Sequence, residues 1–148
     1  MSKFFKYSLF LFIPLFLVSC KKEEEDLSIP EIEFKSITST QVIEFDEIVS
    51  ITISYKDSEG DLGQEDPDNN SLRVKDSRLD NPDWYHIPPI TPNNQALITE
   101  GEFSIDLAPL FILGNGSEEP VTFSVQLKDR KGNWSNTITV PEVLIVAE

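Results

Sequence analysis

Apolar and polar residues alternate along several stretches of this chain, and that period of two favours β-strands over helices. The clearest runs cover residues 48–56, 103–107 and 121–128. In each run the apolar side chains would face a core while the polar side chains face water. Weaker runs, which we also predict to be strands, cover residues 32–37, 72–75, 96–99 and 136–146.

The predicted strands belong to one domain, over residues 31–148. No stretch shows apolar residues at helical spacing between capping residues. About seven strands, separated by turns of Gly, Pro, Asn and Asp, predict an all-β fold with a single antiparallel β-sandwich. Pro141 would place the last strand at a sheet edge or a bulge, because proline cannot donate a ladder hydrogen bond.

Two segments carry a resemblance to a known class of domain. Residues 125–135 read Val-Gln-Leu-Lys-Asp-Arg-Lys-Gly-Asn-Trp-Ser, which resembles the last two strands and the turn of bacterial immunoglobulin-like or fibronectin-III-like domains. The loop from Asp57 to Gly63, Asp-Ser-Glu-Gly-Asp-Leu-Gly, resembles a loop found in small lipoproteins of this build. The resemblance implies an immunoglobulin-like β-sandwich, and it implies architecture far more than activity.

Residues 1–19 have the composition of a cleaved secretory signal. Lys3 and Lys6 precede a mostly apolar stretch that is too short to span a bilayer, which takes about 20 residues. Residues 17–20 read Leu-Val-Ser-Cys and resemble the lipobox of bacterial lipoproteins. The resemblance implies cleavage before Cys20 and acylation of Cys20 with palmitate or similar chains. The alternative is an ordinary signal peptide cut nearby, with Cys20 left as a free thiol.

A charged linker, residues 20–30, would join the anchor to the domain. Its Lys22-Glu23-Glu24 resembles the signal that sends lipoproteins of one group of Gram-negative bacteria to the outer face of the outer membrane. The resemblance implies display at the cell surface, with the periplasmic leaflet as the alternative. Two or three acyl chains on one residue would make the attachment to the membrane effectively permanent.

The negative net charge of the chain argues against nucleic acid as a partner. The chain has 26 acidic and 12 basic residues, and removal of the two leader lysines leaves a formal charge of −16. Such a surface repels the phosphates of nucleic acid, and the sequence shows no basic cluster. Cys20 is the only cysteine, so an intramolecular disulfide is excluded and the fold must be stabilised by its core.

Acidic residues form one candidate site. Asp57, Glu59 and Asp61 follow a predicted strand, and Asp129 follows another whose end would lie beside it in an immunoglobulin-like domain. Clustered carboxylates repel one another unless a cation or water separates them, and calcium prefers such oxygen ligands. The spacing departs from the EF-hand pattern, since Leu62 takes the place of its glycine. The alternative is a solvated turn whose aspartates accept hydrogen bonds from backbone amides.

Aromatic residues form the other candidate site. Trp84 and Tyr85 lie in a proline-rich connection, and Trp134 follows the last tight turn. Exposed aromatic rings of this kind can stack on sugars, so we predict a glycan-binding role for the three residues. The alternative is that Trp134 covers the core while Trp84 and Tyr85 fix a long loop.

Three classes of function are considered for this chain: an enzyme, a binding module and an accessory subunit. His86 is the only histidine, and no nucleophile motif or phosphate-binding glycine loop accompanies it, so we predict that the protein is not an enzyme. A non-catalytic binding or adhesion module on the membrane is the leading prediction. The alternative is a structural accessory subunit of an outer-membrane complex, such as one for glycan uptake, that contacts a protein partner.

Overall fold

The computed structural model describes residues 28–91 and 97–148. These residues form ten strands and no helix, which confirms the predicted all-β fold. The strands are β1 (Glu31–Ile37), β2 (Gln41–Ile43), β3 (Ser50–Asp57), β4 (Leu72–Asp76), β5 (Asp83–Tyr85), β6 (Thr99–Asp106), β7 (Glu118–Val121), β8 (Phe123–Leu127), β9 (Ile138–Thr139) and β10 (Val143–Val146). The immunoglobulin-like arrangement stays a prediction.

The ten strands form three sheets, with the orders β1-β3-β6, β5-β4-β8-β9 and β2-β10-β7. The first two sheets are antiparallel throughout. In the third sheet β10 pairs with β7 antiparallel but with β2 parallel, which departs from the purely antiparallel arrangement predicted. Parallel strands need a long connection, and the chain between β2 and β10 supplies one.

One hydrophobic core joins the three sheets. Its members include the inward-facing residues of the strands, which occupy every second position. Ile53 on β3, Val125 on β8 and Ile145 on β10 are examples, and each of these three is completely buried. Burial of a side chain of this size contributes about 1.5–3 kcal/mol. The period of two in the sequence therefore arises because the strands bury one face each in the same core.

Several predicted strands differ from the observed ones in extent. The run at residues 121–128 divides at Thr122, where the chain leaves β7 and enters β8 in a different sheet. Pro141 lies between β9 and β10, where the chain again changes sheets, and not within an edge strand or a bulge. Of the weak run at residues 96–99, Thr99 alone is seen in a strand; residue 96 lies outside the described residues. β2 and β5 were not predicted.

The domain has two ends with different loops. The end at which the described residues begin holds the loops that follow β3 and β8, since Asn133 Nδ2 there donates a hydrogen bond to the Ser28 carbonyl (3.3 Å). We call it the N-terminal end. At the opposite end, the turn after β2 meets the segment after β6, where Phe45 N–H donates to the Leu110 carbonyl (2.9 Å).

Candidate functional site

The loops that follow β3 and β8 meet at the N-terminal end. Leu62 and Asp129 form an isolated antiparallel bridge, and Arg130 N–H donates to the Asp61 carbonyl (3.0 Å). The Lys131 ammonium forms an ion pair with the Glu59 carboxylate. The structure thus brings together the four acidic residues that the sequence analysis singled out.

Two of these carboxylates are buried and serve as backbone caps. Asp57 accepts hydrogen bonds from the N–H groups of Glu59 (3.1 Å) and Asp61 (2.7 Å). Asp129 accepts from Asn133 N–H (2.7 Å) and from Asn133 Nδ2 (2.8 Å). Each carboxylate closes a turn on itself, which is the usual local use of aspartate after a strand. These contacts match the alternative in which the aspartates hold turns.

The carboxylate of Asp61 lies in an environment that disfavours its charged form. Its Oδ1 atom is buried and has no hydrogen-bond partner in the described structure. The pKa of its carboxyl is raised, first by burial and then by the negative charges of Asp129, Asp57 and Glu59. Among residues 28–91 and 97–148 no group of three or more acidic, histidine or cysteine side chains is arranged to hold a metal ion. Calcium binding by Asp57, Glu59, Asp61 and Asp129 therefore stays a prediction.

The raised pKa of Asp61 gives a test that depends on pH. A carboxyl whose pKa in the folded protein lies above its ordinary 3.8 does not lower the free energy of unfolding below pH 3.8. It lowers that free energy as the pH rises through its pKa in the folded protein, because the folded state disfavours the charged form. Asp61→Asn should therefore raise the free energy of unfolding at pH 7, by less than about 1 kcal/mol because the residue is partly exposed. The gain should vanish below pH 3.8, as measured by urea unfolding.

Chelator should be present in those unfolding experiments, and the same pair of proteins should then be melted with millimolar calcium. Calcium that stabilises the wild type and not Asp61→Asn would support the metal site. A variant less stable than the wild type at pH 7 in chelator would contradict the electrostatic account of Asp61.

The predicted aromatic site divides between two faces of one sheet. Trp84 pairs with Arg73 of β4 on the outward face, whereas Tyr85 pairs with Leu72 on the inward face and packs against the core. Successive residues of a strand point to opposite sides. Tyr85 is thus separated from the two tryptophans, and the glycan-binding role of the three residues stays a prediction.

The two tryptophans lie together on the outward face of the β5-β4-β8-β9 sheet. Their ring centroids are 5.9 Å apart at an angle of 55°, and Trp84 is 46% exposed. Arg73 places its guanidinium carbon 4.6 Å from the ring centre of Trp134, and the Lys128 ammonium lies 5.4 Å from the same centre. We call this surface, formed by Trp84, Trp134, Arg73, Lys128 and the adjoining Gln126, the tryptophan face.

Hydrogen bonds hold the tryptophan face in place. Arg73 donates from Nε to Gln126 Oε1 (3.0 Å), with a second contact from its Nη2 to the same oxygen. Gln126 Nε2 in turn donates to the Ser135 carbonyl (3.0 Å), next to Trp134. A guanidinium has five N–H donors, so Arg73 keeps donors for a ligand. The geometry offers an exposed aromatic ring beside oriented polar groups.

The polar members of this face were not among the residues predicted to bind a ligand. Arg73 and Lys75 alternate with Leu72, Val74 and Asp76, so the period of two already places both cations on one side of β4. The pairing of Arg73 with Gln126 joins residues 53 positions apart, and no local pattern specifies it.

A separate apolar cluster lies at the opposite end of the domain. Phe45 is 66% exposed and stacks on Phe111, with ring centroids 5.5 Å apart and planes 4° apart. Its φ of 62° is rare for a bulky residue, and such conformations concentrate at functional positions. Ile48 and Leu113, from the same two segments, are also exposed. We call this set the phenylalanine cluster.

Comparison with known proteins gives no assignment: no protein-family model matches the chain, and no curated protein matches it. Within the described residues no helix has the length and apolar character to cross a membrane. The predicted signal peptide, Cys20 and most of the linker lie outside the described residues. Those predictions depend on the sequence alone.

Proposed function

We propose that this protein is a lipid-anchored, non-catalytic glycan-binding module of the outer membrane, displayed at the cell surface. The observation that supports the binding role most strongly is the exposed Trp84 ring beside Trp134 on an outward sheet face. An indole buries a large apolar area when a flat ligand stacks on it, and its fixed backbone position limits the entropy lost on binding. Both features suit the apolar face of a sugar ring.

The anchor in this proposal is the acylated Cys20, supported by the lipobox-like residues 17–20, and the surface location by Lys22-Glu23-Glu24. An acyl anchor would hold the domain near the membrane through the linker. The sheet face that carries Trp84 would then be presented to polysaccharide outside the cell, and a module of this kind would retain its ligand without changing it.

A glycan array tests the binding role. We expect the mature lipoprotein in detergent to bind a set of glycans, and Trp84→Ala to weaken that binding about 30-fold, the scale of a central aromatic contact of about 2 kcal/mol. Phe45→Ala is the matched control, because it removes another exposed aromatic residue far from the tryptophan face and should leave glycan binding unchanged. Equal binding by wild type and Trp84→Ala would contradict the proposal.

The phenylalanine cluster supports the alternative function, an accessory subunit of an outer-membrane complex. Exposed, stacked aromatic rings on a strained turn are typical of protein interfaces. A silent glycan array, together with a stoichiometric partner captured from membranes by the wild type and not by Phe45→Ala, would favour that alternative.

A further inference from the structure

Charge is unevenly distributed between the outward faces of two sheets. Residues 28–148 carry 22 acidic and eight basic side chains. Even so, none of the outward positions of the β5-β4-β8-β9 sheet is acidic. Two of them are basic, Arg73 and Lys75, and the others are Trp84, Ser124, Gln126 and Thr139. Lys128 and Trp134 extend the same surface beyond the end of β8.

The outward face of the β1-β3-β6 sheet has the opposite character. The positions that alternate with its core residues include five carboxylates, namely Glu31, Glu33, Glu100, Glu102 and Asp106. Lys35 on that sheet forms an ion pair with Glu33. The acidic surplus of the protein therefore lies partly on one sheet face and leaves the tryptophan face positive.

The cations of the tryptophan face are available to a ligand. Arg73 and Lys128, and Lys75 on the same sheet face, are among the cations of the described residues that form no ion pair with a carboxylate. Lys35 and Lys131 each form one ion pair, and Arg78 forms two. Arg73 instead contacts the neutral amide of Gln126 and the ring of Trp134. Unpaired cations beside an exposed aromatic ring complement an anion attached to a flat apolar group.

We infer that the ligand of the tryptophan face is an acidic glycan, one whose sugars carry carboxylate or sulfate groups; this inference rests on the proposed glycan-binding function. A sugar would stack on Trp84, and acidic groups on the same or a neighbouring unit would bind Arg73 and Lys128. Both cations and the Trp84 ring lie between 4.6 and 5.9 Å from the Trp134 ring centre, so a short oligosaccharide spans them.

Single-stranded nucleic acid also combines anions with stacking groups. The charge of the whole domain favours the glycan. Nucleic acid has a phosphate at every nucleotide, and 22 acidic residues against eight basic ones would repel a continuous polyanion beyond the small positive face. An acidic glycan whose charges alternate with neutral sugars meets less repulsion.

The test compares matched probes on the full mature lipoprotein in detergent. Oligosaccharides of uronic acids are titrated beside the same oligosaccharides with methyl-esterified carboxylates, with sulfated and neutral glycans and a single-stranded oligonucleotide as further arms. We expect the acidic probes to bind about tenfold or more tightly than their neutral esters, and that preference to decrease as salt is raised.

The variants Arg73→Gln and Lys128→Gln should each weaken acidic-glycan binding about fivefold and leave the neutral esters unaffected. Lys56→Gln, on the opposite sheet, is the matched control and should change neither. Acidic and neutral glycans that bind equally, with both variants indistinguishable from wild type, would overturn this inference and leave the proposed function standing. Absence of binding to every glycan would overturn both, and tighter binding of the oligonucleotide would overturn the inference in favour of nucleic acid.

Discussion

Gly63→Ala is expected to lower the free energy of unfolding by about 4 kcal/mol, a large share of the 5–15 kcal/mol typical of a domain. Gly63 has a φ of 82°, in the left-handed region that disfavours side chains. A methyl group there would lie 2.9 Å from Pro89 Cα and closer still to the Pro88 carbonyl. Backbone atoms cannot rotate away, so the two segments would have to separate.

That separation would also break the hydrogen bonds that join the loop to the chain after β5. Gln64 N–H donates to the Ile87 carbonyl (2.8 Å), and Ile90 N–H donates to the Leu62 carbonyl (3.2 Å). Leu62 is part of the core, so the effect would reach the interior. Chemical denaturation measures the change in the free energy of unfolding. Gly132→Ala serves as the comparison, and an equal loss of stability in Gly63→Ala and Gly132→Ala would contradict the predicted clash.

Gly132 is the matched control for that comparison. Its φ is 95°, again left-handed, but beyond its two chain neighbours no residue has an atom within 4 Å of the position that a methyl group would take. Alanine there should cost about 1 kcal/mol, the conformational penalty alone. The difference between the two variants therefore isolates the contact of Gly63 with the proline segment.

Asp129→Ala is expected to lower the free energy of unfolding by about 3 kcal/mol. The Asp129 side chain is buried and accepts hydrogen bonds from the backbone and side-chain nitrogens of Asn133. Hydrogen bonds to a charged acceptor contribute about 1.5–3 kcal/mol each, and their loss leaves the partly buried N–H of Asn133 without this acceptor. Removal of the charge relieves some repulsion with Asp61, which offsets part of the loss.

Asp66→Ala is the matched control for Asp129. Asp66 accepts one hydrogen bond from Asp68 N–H (3.0 Å) in an exposed turn of the loop after β3. Water can replace that bond, so we expect a cost below about 1 kcal/mol in urea unfolding. Equal costs for the two variants would show that the Asp129 turn does not contribute as the structure indicates.

Local alternation predicted the principal strands because each of them faces the shared core. β1, β3, β4 and β8 coincide largely with runs found in the sequence, and the run at residues 103–107 covers half of β6. Alternation does not specify hydrogen-bond partners, however. Val121 and Phe123 both point inward and are buried, so the change of sheet at Thr122 leaves the pattern unaltered.

The site residues were predicted only where local sequence carries the signal. Asp57 is the last residue of β3 and Asp129 lies two residues after β8, and the structure brings the loops beyond them together. The prolines around Trp84 and Tyr85 predict a loop, in which strand alternation would not separate the two side chains. β5 has three residues and lies between prolines, too short for a periodic pattern. The pairing of Arg73, Gln126 and Lys128 with the tryptophans depends on sheet order, which is a property of the whole fold.

The tryptophan face is the centre of this account, and the fluorescence of the protein reports on it directly, because Trp84 and Trp134 are its only tryptophans. The decisive measurement is tryptophan emission during titration with an acidic oligosaccharide, beside calorimetry of the same mixture. We predict that emission changes with the affinity found by calorimetry. Heat of binding with unchanged emission would place the ligand elsewhere and contradict the assignment of this face.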